Sequence, residues 1–472
     1  MNSMCKRFVL LLGIVMLAGC AAQRYRAAPI VAGASASQFA SRSVADAGLR
    51  AFAEKNLGQP APSWPPQTWN LQTLSLAALY FNPALDSARA RLARAEAALV
   101  TAGARPNPTL SLSPGVPTPY LLTMDFAVPL ETAGKRSYRV QTARHLDQAA
   151  RLDLADSAWT VLTGVRLALL NYLLASRSLE LFRAEAQVRA DQVKILEQIL
   201  SVGEIPRLDV DLARIELSKT EVAIRTAEGQ VAEAKAVLAA AVGVPVAGLQ
   251  DAQLSWPELD IPPSPESFSP AEVQRDAVLN RLDVRRSLAQ YAAAEADLQL
   301  EIAKQYPDIN LGPGYTFEER HSFFTVGFSS AIPLFNRNQG PIAEATARRE
   351  EAAAAFMQTQ AQVVARSERA LAAYTAALKE LADAESLRKS QEAQLAITQQ
   401  AITAGADNRL SLDGVQIQVS VLARAQLDAL ARAQRALGDL EDAVQRPLAP
   451  GEVLPITPES PALGGRPGES KR

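Results

Sequence analysis

Residues 303–334 read AKQYPDINLGPGYTFEERHSFFTVGFSSAIPL, and residues 104–130 read ARPNPTLSLSPGVPTPYLLTMDFAVPL. In the first stretch Ile309, Leu311, Tyr315 and Phe317 alternate with Asn310, Gly312, Gly314 and Thr316. Phe324, Val326, Phe328 and Ile332 then share a face opposite Thr325, Gly327 and Ser329. In the second stretch Leu110 and Leu112 alternate with Ser111 and Ser113, and Leu122, Met124, Phe126 and Val128 alternate with Thr123, Asp125 and Ala127. Successive strand side chains point to opposite faces, so this pattern describes strands with one apolar and one polar face. About ten such residues cross a bilayer with lipid on one side and water on the other. Each stretch therefore predicts a hairpin, at about 108–130 and about 307–333. A soluble hairpin has the same period, but two hairpins at equivalent places favour the membrane.

The equivalence runs along the chain. Ala104 to Gly115 matches Ala303 to Gly314, and Val128-Pro129-Leu130 matches Ile332-Pro333-Leu334. Val202-Gly203, followed by Arg207-Leu208, matches Ala404-Gly405, followed by Arg409-Leu410, at a constant offset of about 200 residues. Matching punctuation at one long period indicates two structural halves. We place them at 70–260 and 261–446, joined at Ile261-Pro262-Pro263-Ser264-Pro265. Pro108, Pro129, Pro307 and Pro333 flank the four strands, where proline ends helices and blocks ladder pairing. They mark the crossings from strand to helix.

Between the hairpins lie very long helices. Pro129 and Pro206 bound one proline-free stretch and Pro341 and Pro447 bound another, both rich in Ala, Leu, Gln, Glu and Arg. Taken as helix, 136–201 would extend roughly 100 Å at about 1.5 Å per residue. Leu167, Leu174, Leu181, Val188 and Ile195 form one heptad row, and Tyr172, Leu179, Ala186, Val193 and Leu200 a second. The rows are about 140° apart at about 100° per residue, so this helix has a neighbour on each flank. A wall of helices arranged as a tunnel has that pattern, as does a bundle helix buried on two sides. Four strands cannot close a barrel, and lipid does not tolerate open sheet edges. Two copies would give about eight strands with a filled lumen, and three would give about twelve with an opening. The fold expected is an α+β membrane protein: a long antiparallel α-helical tunnel, four β-strands per protomer in a trimeric 12-stranded barrel, and an internal twofold repeat.

The N-terminus sets the compartment. Lys6 and Arg7 precede an apolar run from Phe8 to Leu17, then Leu17-Ala18-Gly19-Cys20. This is the form of a secretory signal, 1–19, too short to span a bilayer as a helix. Cys20 after Leu-Ala-Gly resembles the bacterial lipobox, which implies acylation of Cys20; Ala21 in that pattern implies sorting to the outer membrane. Residues 20–69 read as a lipidated tether, and 447–472, with six prolines, as a disordered tail. The other cysteine, Cys5, leaves with the signal, so no disulfide is available. His145 and His321 are the only histidines and stand apart, so no metal ligand set is expected. Met124 and Met357 are the only methionines after the signal, which argues against a stepwise copper relay. There is no nucleophile elbow, P-loop or dinucleotide fingerprint, so neither an enzyme nor a cofactor is expected. A net charge of −2 argues against nucleic acid.

Arg105-Pro106-Asn107-Pro108, Pro129-Leu130-Glu131-Thr132-Ala133-Gly134-Lys135-Arg136 and Ile332 to Gly340 resemble the TolC-like outer-membrane efflux family, in its heavy-metal branch, across roughly 70–450. The resemblance implies a homotrimeric exit duct, lipid-anchored in the outer membrane with a long periplasmic extension. It would serve a tripartite pump with a periplasmic adaptor and an inner-membrane transporter of the RND type. Gly203, Arg207, Leu208, Gly405, Arg409 and Leu410 then fall at the periplasmic tips, where the resemblance implies adaptor docking and closure. Glu204, Asp209, Asp211, Asp407 and Asp413 gather near those tips. Repeated by threefold symmetry they would favour cations, or they are solvated helix-end charges. Arg207 and Arg409 could pair with acids to hold the mouth shut. Cargo stays open among metal cations, drugs and a secreted protein. A coiled-coil scaffold lipoprotein without a pore is the reading of another class, and the paired hairpins speak against it.

Overall fold

The computed structural model describes residues 25–60, 63–115, 121–318, 321–448 and 463. Residues 25–42 belong to a unit of their own with one helix, α1 (Ala32–Ala40), none of whose residues is buried. From Ser43 the chain forms a second unit. It runs α2 (Ala47–Leu57), β1 (Thr68–Trp69), α3 (Leu71–Phe81), α4 (Pro83–Gly103), β2 (Thr109–Pro114), β3 (Leu122–Leu130), α5 (Lys135–Ser201) and α6 (Arg207–Val242). It continues β4 (Gln253–Leu254), α7 (Pro270–Asn280), α8 (Leu282–Ala303), β5 (Ile309–Glu318), β6 (His321–Ser330), α9 (Gln339–Thr403) and α10 (Arg409–Val444). The succession from α3 to α6 recurs from α7 to α10. Helices of 11, 21, 67 and 36 residues are answered by helices of 11, 22, 65 and 36.

Local chemistry sets the boundaries. Asn82 caps α4 by accepting from the Ala84 amide at 3.0 Å, with Pro83 in the first turn. Asn70 and Thr73 form a reciprocal capping box at the start of α3. α5 is long and apolar enough by composition to cross a membrane, yet 56% of its apolar window is buried. It packs on α4 and α8 in its first half and on α6 and α10 in its second. The helix thus has neighbours on more than one side, although Leu167 of the first heptad row is exposed.

Buried apolar side chains concentrate in two clusters. One joins α2, α3, α5 and the connection after α6 through Leu49, Phe52, Trp69, Leu74, Leu169, Leu238 and Leu259. The other joins α7, α9 and α10 through Val273, Val363, Tyr374, Leu437 and Leu440. Each fully buried Leu or Phe contributes about 1.5–3 kcal/mol.

Two expectations change here. Residues 20–69 are not all tether: Asp46 caps α2 by accepting from the Leu49 amide at 2.9 Å, and α2 buries Leu49, Phe52 and Ala53. The tail 447–472 is described only at 447, 448 and 463. There Leu463 is 5% exposed and accepts from Arg89 Nε at 3.2 Å, so this point of the tail is packed. The signal 1–19 and Cys20 lie outside the described residues.

Candidate functional site

The four long strands form one antiparallel sheet in the order β2-β3-β5-β6, open in the single chain, with β2 and β6 at its edges. Register places the apolar residues in common rows. Leu112 faces Met124, which faces Tyr315, which faces Phe324. Val128, Leu311 and Phe328 form another row. On the opposite face Ser111, Asp125, Gly314 and Thr325 are aligned. Phe324, Val326 and Phe328 are 83%, 88% and 78% exposed, so the apolar face along β6 has no cover among the described residues. Gly312 and Gly314 permit the close approach of strands: a Cβ at 312 would lie 2.4 Å from the Phe126 carbonyl oxygen, and one at 314 would lie 2.5 Å from Thr325 Oγ1. Pro129 sits inside β3, opposite Asn310, rather than just beyond it. Pro108 and Pro307 precede β2 and β5, and Pro333 follows β6.

The crossings from sheet to helix are held by polar contacts absent from the sequence reading. Lys135, at the start of α5, donates to Asp308 Oδ1 at 2.6 Å, and the Thr132 amide donates to the same oxygen at 3.0 Å. Thr132 Oγ1 donates to the Pro307 carbonyl at 2.8 Å. Arg139 reaches back to the Ala102 and Ala104 carbonyls at the end of α4. At the second crossing Asn338, with φ +63°, donates to both the carbonyl and the carboxylate of Glu301 at 2.8 Å. Partial burial works against the Glu301 charge, but Lys304 and Asn338 outweigh it and hold its pKa below the usual carboxylate range.

At the other end of the helices the two tips share one geometry. Gly203 (φ +80°) and Gly405 (φ +74°) take the left-handed conformation. Their amides donate to Leu200 and Ile402 at 2.9 Å, and the following amides reach Ile199 and Ala401, closing the helix ends. Asn408 then caps α10 through the Ser411 amide at 2.9 Å. Glu204, Arg207, Leu208, Asp209, Asp407 and Arg409 are exposed, and Leu410 is half-buried. Arg207 pairs with Asp211 in its own helix at 3.6 Å, not across to the other tip, and Asp211 also meets Arg214 at 3.7 Å. Asp413 departs from the reading of these acids as solvated helix-end charges. It is 3% exposed, and its Oδ2 has no hydrogen-bond partner among the described residues. Burial pushes its pKa up; Arg409 opposes this and Asp191 on α5 adds to it.

A buried polar cluster was also missed by sequence reasoning. Arg166 on α5 is 4% exposed and donates to the carbonyl and Oε1 of Gln434 on α10 at 3.0 and 3.1 Å. Its Nε lies 3.2 Å from Glu441 Oε2 without hydrogen-bond geometry, so that contact is Coulombic. Its guanidinium stacks 5.0 Å over Trp256. Gln434 in turn donates to the Leu259 carbonyl at 2.7 Å, tying both helices to the connection after α6. Gly438 gives Arg166 its room, since a Cβ there would stand 2.7 Å from Nη1. Among the described residues no cluster of His, Cys, Asp and Glu could hold a metal ion. The arrangement offers walls, edges and turns.

A family model described as "Outer membrane efflux protein" matches residues 74–244 and 273–444. The chain belongs to the outer membrane efflux protein family. The two matched stretches contain both hairpins, both crossings and both tips. The TolC-like resemblance read from the sequence is to this same family. The cobalt-zinc-cadmium resistance protein CzcC of Cupriavidus metallidurans is 26% identical over 284 residues, which cover 59% of this chain and 66% of that protein, just under two thirds of its length. The pyoverdine export outer membrane protein OpmQ of Pseudomonas aeruginosa is 25% identical over 339 residues, covering 64% and 69%. The solved structure of the outer membrane protein VceC from Vibrio cholerae, 21% identical, superposes with a TM-score of 0.65 over 80% of this chain and 97% of its own. This efflux family member and VceC share a fold.

Proposed function

We propose that this efflux family member is the outer-membrane exit duct of a tripartite efflux system and works as a homotrimer. The observation that carries the reading is the open four-stranded sheet, whose apolar face along β6 is uncovered and whose two edges are unpaired among the described residues. In lipid such edges require partners, and three copies provide about twelve strands around an opening. The polar face of the sheet then lines the lumen, and the long helices continue it into the periplasm. Transport is passive, with a periplasmic adaptor and an inner-membrane RND transporter supplying cargo and energy. The tips around Gly203 and Gly405 dock the adaptor and close the mouth, with Glu204, Asp209, Asp211 and Asp407 as its acids. The likeness to CzcC supports heavy-metal cations as cargo. Acylation of Cys20 would fix the chain to the outer membrane.

Purified protein in a planar bilayer should give discrete conductance steps, and its mass in detergent should be that of three chains. A folded monomer with helical signal and no conductance sinks the proposal. Deleting the gene should raise sensitivity to divalent cobalt, zinc or cadmium; unchanged sensitivity removes the metal assignment and leaves the duct. Cys20→Ala should abolish palmitate labelling.

A further inference from the structure

The two crossings from helix to sheet share a fold but not a chemistry. Ala104 to Gly115 repeats as Ala303 to Gly314, so Ala102 corresponds to Glu301 and Arg105 to Lys304. At the second crossing Lys304 donates to Glu301 at 2.6 Å, and its charge is met. At the first that acid is missing, and Arg105 is exposed with no partner among the described residues. Arg136, at the start of α5, donates from Nε to the Gly103 carbonyl at 2.7 Å, and its terminal nitrogens have no partner among the described residues. The acids of this crossing are already held, Glu131 by Arg139 and Asp308 by Lys135. Two guanidinium charges therefore stand without a counter-charge at the end of α4.

A groove of about 640 Å³ opens at the same place. Ala98, Ala102, Ala104 and Pro106 line it beside Thr101, with Arg105 and Arg139 as its charged members. Its depth follows from the sheet register. β2 pairs with β3 so that Thr109 faces Ala127. Carried on from that pair, the same register puts Arg105 level with Glu131, the residue after Leu130. Leu130 and Ile309 face each other at the lower end of the apolar face, and both are exposed. One strand residue advances about 3.3 Å, and the head-group layer is about 5–8 Å thick on each side of a bilayer. Arg105 therefore stands at head-group depth, directly below the apolar face.

We infer that this groove binds an anionic glycerophospholipid of the periplasmic leaflet. Arg105 and Arg136 hold its phosphate, and the alanines and Pro106 cover the first methylenes of an acyl chain. A guanidinium suits the task because its fork donates to two phosphate oxygens at once. Two charges without acids favour a lipid of net negative charge over a zwitterionic one, and the apolar lining favours a lipid over free phosphate. The inference rests on the proposal above that the sheet stands in a bilayer. Native mass spectrometry and thermal melting test it, with phosphatidylglycerol, phosphatidylcholine or inorganic phosphate added to delipidated protein in detergent. Phosphatidylglycerol should bind once per chain and raise the melting temperature, and the other two at equal concentration should not. Each basic side chain near an anionic surface strengthens binding about fivefold, so Arg105→Gln/Arg136→Gln should weaken phosphatidylglycerol roughly 30-fold. Ala102→Glu gives this crossing the acid of the second and should remove the preference with both arginines in place. The charge-matched Lys219→Gln/Lys389→Gln, whose lysines pair within their own helices, should bind as the native chain does.

Equal binding of phosphatidylglycerol and phosphatidylcholine overturns the inference, as does a preference untouched by Arg105→Gln/Arg136→Gln. Inorganic phosphate that protects as well as the lipid makes the groove a plain anion site and overturns it too. Phe335 is 96% exposed beyond edge strand β6. A disulfide between copies from Ala102→Cys/Phe335→Cys, in protein that takes up no phosphatidylglycerol, gives the groove to the neighbouring chain and overturns the lipid. A monomeric mass with the preference intact keeps the groove and removes the trimer. A conducting trimer without the preference removes the groove and leaves the duct.

Discussion

Arg166→Met is the substitution whose cost the structure defines best. It removes the guanidinium that stands 3.2 Å from Glu441 and donates twice to Gln434. Glu441 is 4% exposed, and its carboxylate would keep the Leu448 amide, at 2.9 Å, as its hydrogen-bond donor. Breaking one side of a buried pair costs about 3–5 kcal/mol, because a charge is left without compensation. At roughly 2 °C per kcal/mol for a long chain, Arg166→Met should melt about 5–10 °C lower by circular dichroism in detergent. Glu441→Leu alone should cost a similar amount. The double variant removes both charges and leaves the two Gln434 acceptors and the Leu448 amide unpaired, at about 1 kcal/mol each. It should therefore recover part of the loss. A double variant that melts no higher than Arg166→Met would show that packing against Trp256, and not the charge pair, carries the stability of this cluster.

Asp413→Asn should stabilise the protein near neutral pH, because it removes a charge that burial disfavours. A raised carboxyl pKa means that the folded state prefers the neutral form. The native stability from this group is therefore present at low pH and lost as pH rises through the folded pKa. The advantage of Asn should accordingly shrink on acidification, and a melting difference that grows instead would contradict the assignment. Gly405→Ala has open space around its Cβ but a φ of +74°, so it should cost about 1 kcal/mol from backbone strain alone. The loss should appear as faster hydrogen exchange at the tip, and Gly203→Ala should match it. Asn338→Gly keeps the left-handed backbone and loses the two bonds to Glu301, whereas Asn338→Ala loses both. Ala should be the worse of the two by about 1 kcal/mol in thermal melting.

The sequence alone determined the periodic features. The proline-free run after Pro129 became α5, Lys135–Ser201, within a residue of the expected 136–201. The alternation in 104–130 and 303–334 became the four strands of one sheet, and the glycines at 203 and 405 became left-handed turns. Each of these is local: a side-chain period, a missing amide hydrogen or a missing Cβ acts within a few residues, so it can be read along the chain. The tertiary structure decided what depends on neighbours distant in sequence. Arg166 and Gln434 are 268 residues apart, and Lys135 and Asp308 are 173 apart. Nothing near Asp413 in the sequence separates it from the exposed Asp407, yet packing buries one carboxylate and leaves the other in water. α2 was read as tether because its few apolar residues acquire a core only where α3 and the connection after α6 meet them. A charge or an apolar side chain has no fixed energy until its surroundings are known, and only the folded chain supplies them.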